Sequence, residues 1–139
     1  MFEDEKDDKI YNLLISRGID ENNEFKTFCE KLYSKNEFLW TESFTSSIES
    51  AGDSFFKNVD AVIILSGIYT KNKVAFDLMI DKAMVYQLPI ILVRPYGEEN
   101  VPENLEKIVD DVVGWNANCI IETIKDLVTG EESESCHLD

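Results

Sequence analysis

Residues 58–96 read NVDAVIILSGIYTKNKVAFDLMIDKAMVYQLPIILVRPY, and this stretch decides the fold. Ala61 to Leu65 and Leu88 to Val93 are short, nearly unbroken apolar runs rich in Val and Ile, separated by about the length of one helix. The pattern predicts a βαβ unit. Strands covered on both faces lose the polar alternation of a half-exposed sheet, so the unit predicts a parallel sheet with helices above and below. Ligands of such sheets sit beyond the carboxyl ends of the strands. Here those ends are Ser66-Gly67-Ile68-Tyr69 and Arg94-Pro95-Tyr96-Gly97, and a site is expected beside them.

Toward the amino terminus, Ile10 to Ser16 predicts the first strand, and the change to Arg17-Gly18-Ile19-Asp20 marks its carboxyl end. Asp20 or Asn22 suits the cap of a helix from about Asn23 to Ser34, whose Phe25, Phe28, Cys29 and Leu32 share one face and read as core. Phe38-Leu39-Trp40 predicts a short second strand. The hydroxyl-rich run from Thr41 to Asp53 has no period, and it reads equally as a loop beside the site and as a plain surface connection. Ser54 to Asn58 suits a short helix, and Asp60 serves a turn at the entry of the third strand.

Within and beyond the central stretch, a helix is expected from about Lys73 to Gln87, with Phe76, Met79, Ile80, Ala83 and Met84 apolar and Asp77, Asp81 and Lys82 on a solvated face. Arg94 suits either a bidentate phosphate contact or a structural ion pair, the latter being favoured in an acidic protein. Val101 to Leu105 begins a short helix with proline in its first turn. Val112 to Trp115 predicts a last strand, and Asn116 caps a final helix with an apolar stripe of Ile120, Ile121, Ile124, Leu127 and Val128. The domain organisation is an acidic end over residues 1–9, one α/β domain over 10–128, and an acidic tail over 129–139 expected to be disordered. The expected fold class is a three-layer, doubly wound sheet of about five parallel strands.

Composition narrows the function. The 139 residues suit one domain with a real core, and 44% apolar residues mark a globular chain. A formal charge of −15 opposes a nucleic-acid backbone, so no nucleic-acid partner is expected. No apolar run approaches the ~20 residues of a membrane span. The acidic start MFEDEKDDK resembles neither a secretory signal nor a transit peptide, and three distant cysteines, Cys29, Cys119 and Cys136, fit reduced thiols in a cytoplasm. His137, the only histidine, lies in the tail, so histidine-dependent catalysis and a metal site are not expected. The sequence has no GxGxxG, no GxxxxGK[ST] and no GxSxG, and the expected strand ends lack the acids and lysine of a phosphorylation receiver.

The order and spacing of VDAVIILSGIYT, LPIILVRPYG and VPENLEKIVDDVVGWNANCIIETIK carry a resemblance over roughly residues 10–128. The chain resembles the TIR-like domain of the Thoeris ThsB family of antiphage (antiviral) defence, whose fold is similar to Toll/interleukin receptor domains and flavodoxins. The resemblance implies NAD chemistry: cleavage between nicotinamide and ribose yields an ADP-ribose-derived messenger that switches on a defence effector protein. In that family a glutamate in the helix after the third strand is the catalytic acid, where fixed negative charge steadies a developing cation.

The sequence departs from the family there, because the glutamate position falls on Met79 and the preceding tryptophan position on Ala75. Asp77 and Asp81 lie two residues to either side, about 200° around a helix, and are weak candidates for the acid. Three readings follow: a TIR-like module that binds an NAD-related nucleotide or a partner without efficient cleavage, an active NAD-cleaving enzyme using another acid, and a non-enzymatic flavodoxin-like adaptor. No tightly bound cofactor is expected, and NAD enters as substrate or ligand. A bound nucleotide is expected to meet Ser16, Arg17, Ser66, Tyr69 and Arg94. Assembly into a homo-oligomer is a further expectation of the resemblance.

Overall fold

The computed structural model describes residues 9–16, 23–35, 37–45, 47–65, 73–94 and 103–130. Ten elements alternate along them: β1 (Tyr11–Ile15), α1 (Asn23–Tyr33), β2 (Trp40–Glu42), α2 (Asp53–Lys57), β3 (Ala61–Leu65), α3 (Lys73–Val85), β4 (Ile90–Val93), α4 (Glu103–Ile108), β5 (Asp111–Val113) and α5 (Ala117–Thr129). The strands form one parallel sheet in the order β2-β1-β3-β4-β5. This is the flavodoxin-like order, in which the chain reverses direction between β1 and β3.

That reversal sets the layers. Right-handed crossovers carry the chain from β1 to β2 one way and from β2 through β5 the other, so α1 lies on one face and α2, α3 and α4 on the opposite one. After β5 the chain returns, and α5 contacts α1, β4 and β5. Residues of both parities in β3 and β4 are therefore buried, which explains the unbroken Val and Ile runs. Phe28 and Leu32 of α1, Phe76, Met79, Ile80 and Ala83 of α3, and Ile120 and Ile124 of α5 close the core from both sides.

Several boundaries differ from expectation, each for a local reason. The second strand lies at Trp40–Glu42, because Phe38 is held in a turn by its amide on Lys35 and buries its ring against Tyr11 outside the ladder. The last strand is Asp111–Val113, and Trp115 follows it to pack against Phe28. Helix α3 stops at Val85, because Gln87 takes a left-handed φ of 59° and the Leu88 amide turns back to the Ala83 carbonyl. The fourth strand accordingly starts at Ile90. Asn116 caps α5 by accepting from the Cys119 amide at 3.0 Å, and Gly130 ends it at φ 83°. Thr129 thus belongs to the helix, while residues 131–139 and the expected caps Asp20 and Asn22 lie outside the described residues.

Two aspartates serve the same device at different seams. The Asp60 amide donates to the Asn12 carbonyl at 2.7 Å while its carboxylate accepts from the Asn12 amide at 2.8 Å, extending the β1–β3 pairing. Asp110 does the same with Ile90, at 2.8 and 2.7 Å, between β4 and β5. Helix α2 is fixed beside α3 by Phe56 stacked on Tyr86, whose hydroxyl donates to Asp53. That hydrogen bond, with smaller contributions from desolvation and charge, raises the Tyr86 phenol above its ordinary 10.0.

Cys29 is half-buried against the core. Cys119 is disulfide-bonded, which departs from the expectation of reduced thiols. No helix among the described residues is long and apolar enough to cross a membrane.

Candidate functional site

The switch between β1 and β3 leaves a gap at the carboxyl edge of the sheet, because the helices on either side of it leave in opposite directions. A cavity of about 200 Å³ opens at that edge. Three segments line it: Leu14, Ile15 and Ser16 from the end of β1, Glu42 to Thr45 with Ile48 from the end of β2 and the following loop, and Ala75, Phe76 and Met79 from α3. The lining is mainly apolar. Hydroxyl residues Ser16, Ser43 and Thr45 are interspersed, and Glu42 has the one formal charge among the described lining residues.

Backbone pairing fixes the rim. The Ser43 amide donates to the Leu13 carbonyl at 2.8 Å, so the β2 loop leaves the sheet beside the end of β1. Thr45 and Ser47 close a small turn in which the Ser47 amide donates to Thr45 Oγ1 at 3.3 Å and Thr45 Oγ1 donates to the Ser47 carbonyl at 3.2 Å. Ser16 is 1% exposed, and its Oγ accepts from the Leu65 amide at 2.9 Å. The Ser16 amide donates in turn to the Ile63 carbonyl at 2.9 Å, so this residue ties β1 to β3 at the cavity edge.

Of the residues singled out in the sequence, the cavity brings together Ser16 and Met79. Met79 is 4% exposed and forms part of the wall. Ala75, at the tryptophan position of the resemblance, lines the same cavity. Neither Asp77 nor Asp81 is among the lining residues: Asp77 pairs with Lys73 at 2.8 Å on the helix surface, and Asp81 is exposed. Arg94 sits beyond β4, two strands from β1, where it pairs with Glu106 at 3.5 Å and lines no part of the cavity. Arg17, Ser66 and Tyr69 lie outside the described residues.

The sequence reading missed Glu42, Phe44 and Ile48, and met Ser43 and Thr45 only as hydroxyl residues of a stretch without a period. Their signal was the aperiodic, hydroxyl-rich stretch from Thr41 to Asp53, and the structure makes its first part a wall of the cavity. A larger, more open depression of about 460 Å³ lies at the opposite edge, among Met84, Gln87, Pro89, Ile108 and Leu127. It is at the amino end of β4, away from the strand ends where ligands of this fold class collect. No group of three or more His, Cys, Asp or Glu side chains among the described residues is arranged to hold a metal ion.

Chemically, the cavity can bury an apolar or aromatic group and offer it hydroxyl contacts. Met79 gives the wall a thioether, which has neither the charge nor the proton needed for acid or electrostatic catalysis, and Glu42 supplies the one carboxylate among the described lining residues. Neither a protein-family model nor a curated protein matches the chain. The class that the fold and the cavity define is a flavodoxin-like α/β domain with a pocket at its topological switch point.

Proposed function

We propose that the chain is a ligand-binding TIR-like domain of the Thoeris ThsB type, which takes an NAD-related nucleotide at the carboxyl edge of β1 and β2 without cleaving it by the family's glutamate route. The observation that carries this reading is the place of Met79. The residue at the position of the catalytic acid lies in the cavity wall, buried and uncharged. A pocket kept in position while its acid is replaced suits recognition better than turnover. Asp77 and Asp81, the other acids of the helix, line none of it, which weighs against an enzyme that uses them.

The cavity also limits the fit. At about 200 Å³ it falls below the ~300 Å³ at which pockets begin to enclose a drug-sized ligand, so it accommodates one end of a dinucleotide. A defence effector that responds to the bound state, self-association and a cytoplasmic setting complete the proposal.

Two assays on purified protein test the reading. Thermal denaturation with NAD and with ADP-ribose should show saturable stabilisation, by ~2.7 kcal/mol at a ligand concentration a hundredfold above Kd. Nicotinamide release from NAD should be absent in the natural protein and appear in Met79→Glu. Release by the natural protein would overturn the proposal, and so would the absence of stabilisation by either nucleotide.

A further inference from the structure

We propose that the depression at the amino edge of the sheet is a docking site for a basic segment of a partner protein, in which an apolar side chain enters the hollow and flanking lysines or arginines meet the helix ends around it. This goes beyond the nucleotide reading and does not depend on it, since the two sites lie at opposite edges of the sheet.

Topology gathers the surface. In a parallel sheet with crossover helices each helix runs back toward the amino ends of the strands, so α3, α4 and α5 all finish at this edge. Met84 and Gln87 from the end of α3, Ile108 from the end of α4 and Leu127 near the end of α5 surround Pro89 and Ile90, where β4 begins. The hollow of about 460 Å³ lies within the ~300–1,000 Å³ of ligand pockets. Its rim is apolar and open: Met84 is 56% exposed and Ile108 43%, and the apolar surface continues to Val85 at 73%. A flexible thioether at such a rim adapts to side chains of different shape.

Charge selects the occupant. The carbonyl end of a helix carries about half a negative charge, and α3 and α5, 13 residues each, both end here. Asp110 adds the one formal charge among the described lining residues, and its carboxylate is held in place by accepting from the Ile90 amide at 2.7 Å. Lys82 in the last turn of α3 and Lys107 in that of α4 offset part of this field, but neither is among the lining residues, and α5 has no basic residue in its last turn. A second copy of a chain of net charge −15 would bring the same negative helix ends against each other, so a basic partner fits the surface better than self-pairing.

Fluorescence anisotropy of the full chain with three labelled octapeptides tests the proposal: one alternates leucine and arginine, one leucine and glutamate, one serine and arginine. The leucine–arginine peptide should bind saturably, about tenfold or more tighter than either of the others, and raising sodium chloride from about 0.01 to 0.15 M should weaken it. Met84→Asp separates a built seat from general attraction to an acidic protein. It adds a negative charge while removing an apolar wall, so a seat predicts binding weaker by about tenfold, and general attraction predicts equal or tighter binding. Met84→Gln keeps the helix end neutral and should weaken binding as well. Val74→Asp, at the other end of α3 and 85% exposed, should leave the affinity unchanged.

Equal affinity for the leucine–arginine and serine–arginine peptides, or undiminished binding in Met84→Asp and Met84→Gln, would overturn the proposal. So would a dimer in sedimentation velocity that Met84→Asp dissociates, since a second copy would then occupy the hollow. NAD affinity should be the same in Met84→Asp as in the natural protein, which keeps a failure of this proposal distinct from a failure of the nucleotide reading.

Discussion

At the scale of single residues, Ser16 and Met79 both line the cavity, and Ser16 also serves the sheet. Ser16 was expected to meet a ligand, and it does line the cavity, but its Oγ is already engaged by the Leu65 amide in a position 1% exposed. Removing the hydroxyl strands that amide in a buried strand. An unsatisfied buried donor costs about 1–3 kcal/mol, so Ser16→Ala should lower the urea-unfolding free energy by that amount. Affinity for NAD should change by less than about threefold, since the hydroxyl's acceptor capacity serves the sheet. A stable Ser16→Ala protein with lost ligand affinity would reverse the assignment. The depth of Met79 was legible from the helical spacing of Phe76, Met79, Ile80 and Ala83, whereas Met84, read onto the same face, is exposed. The ion pair of Arg94 with Glu106 was the favoured reading of that arginine, since an acidic chain offers many partners within reach. The individual residues of the β2 loop were not legible, because a loop's side chains are placed by the strands it leaves and by no period of its own.

At the scale of elements, what the sequence shows most clearly is what is buried on both sides. β3 and β4 lie at the centre of the sheet, and their runs of Val, Ile and Leu reveal both existence and direction of burial. β2 and β5 are three-residue edge strands, and there the nearest large apolar residues, Phe38 and Trp115, fall outside the ladder and shift the apparent strand by up to two positions. Short edges also present few unpaired backbone groups to another sheet. The seams beside them depend on Asp60 and Asp110. Each carboxylate accepts a part-buried strand amide, a charge-assisted bond whose loss is worth about 1.5–3 kcal/mol. The Lys9–Asp60 pair at 3.4 Å adds little, being open to solvent. Asp60→Ala and Asp110→Ala should each lower stability by about 2 kcal/mol in urea titrations. The double variant should lose the sum, because the two seams share no hydrogen-bond partner. A double variant much less destabilised than the sum would mean that one seam opens before global unfolding.

At the scale of the whole molecule, the dominant long-range term is charge. Twenty-eight acidic side chains against thirteen basic ones give −15, and the ion pairs among the described residues, Lys9–Asp60, Lys73–Asp77 and Arg94–Glu106, are all partly solvent-exposed. Exposed pairs of this kind contribute about 0–1 kcal/mol each. Repulsion among the excess carboxylates acts over longer distances, and a compact state concentrates it more than an unfolded chain does. The two terms respond differently to salt. Raising ionic strength from about 0.01 to 0.15 M shortens the Debye length from about 30 to 8 Å. Repulsion across the molecule is then largely screened, while pairs at 2.8–3.5 Å lose much less of their attraction. The melting temperature should therefore rise with sodium chloride over this range, by about 3 °C for each kcal/mol of repulsion removed. Choline chloride should reproduce the rise, since screening depends on ionic strength and not on the identity of the cation. A rise confined to sodium would indicate a specific cation site in place of general repulsion. A fall in both salts would show that the short-range pairs outweigh the net charge. The sign also bears on the ligand: if repulsion dominates, affinity for NAD should increase with salt over the same range, because its phosphates must approach against the field.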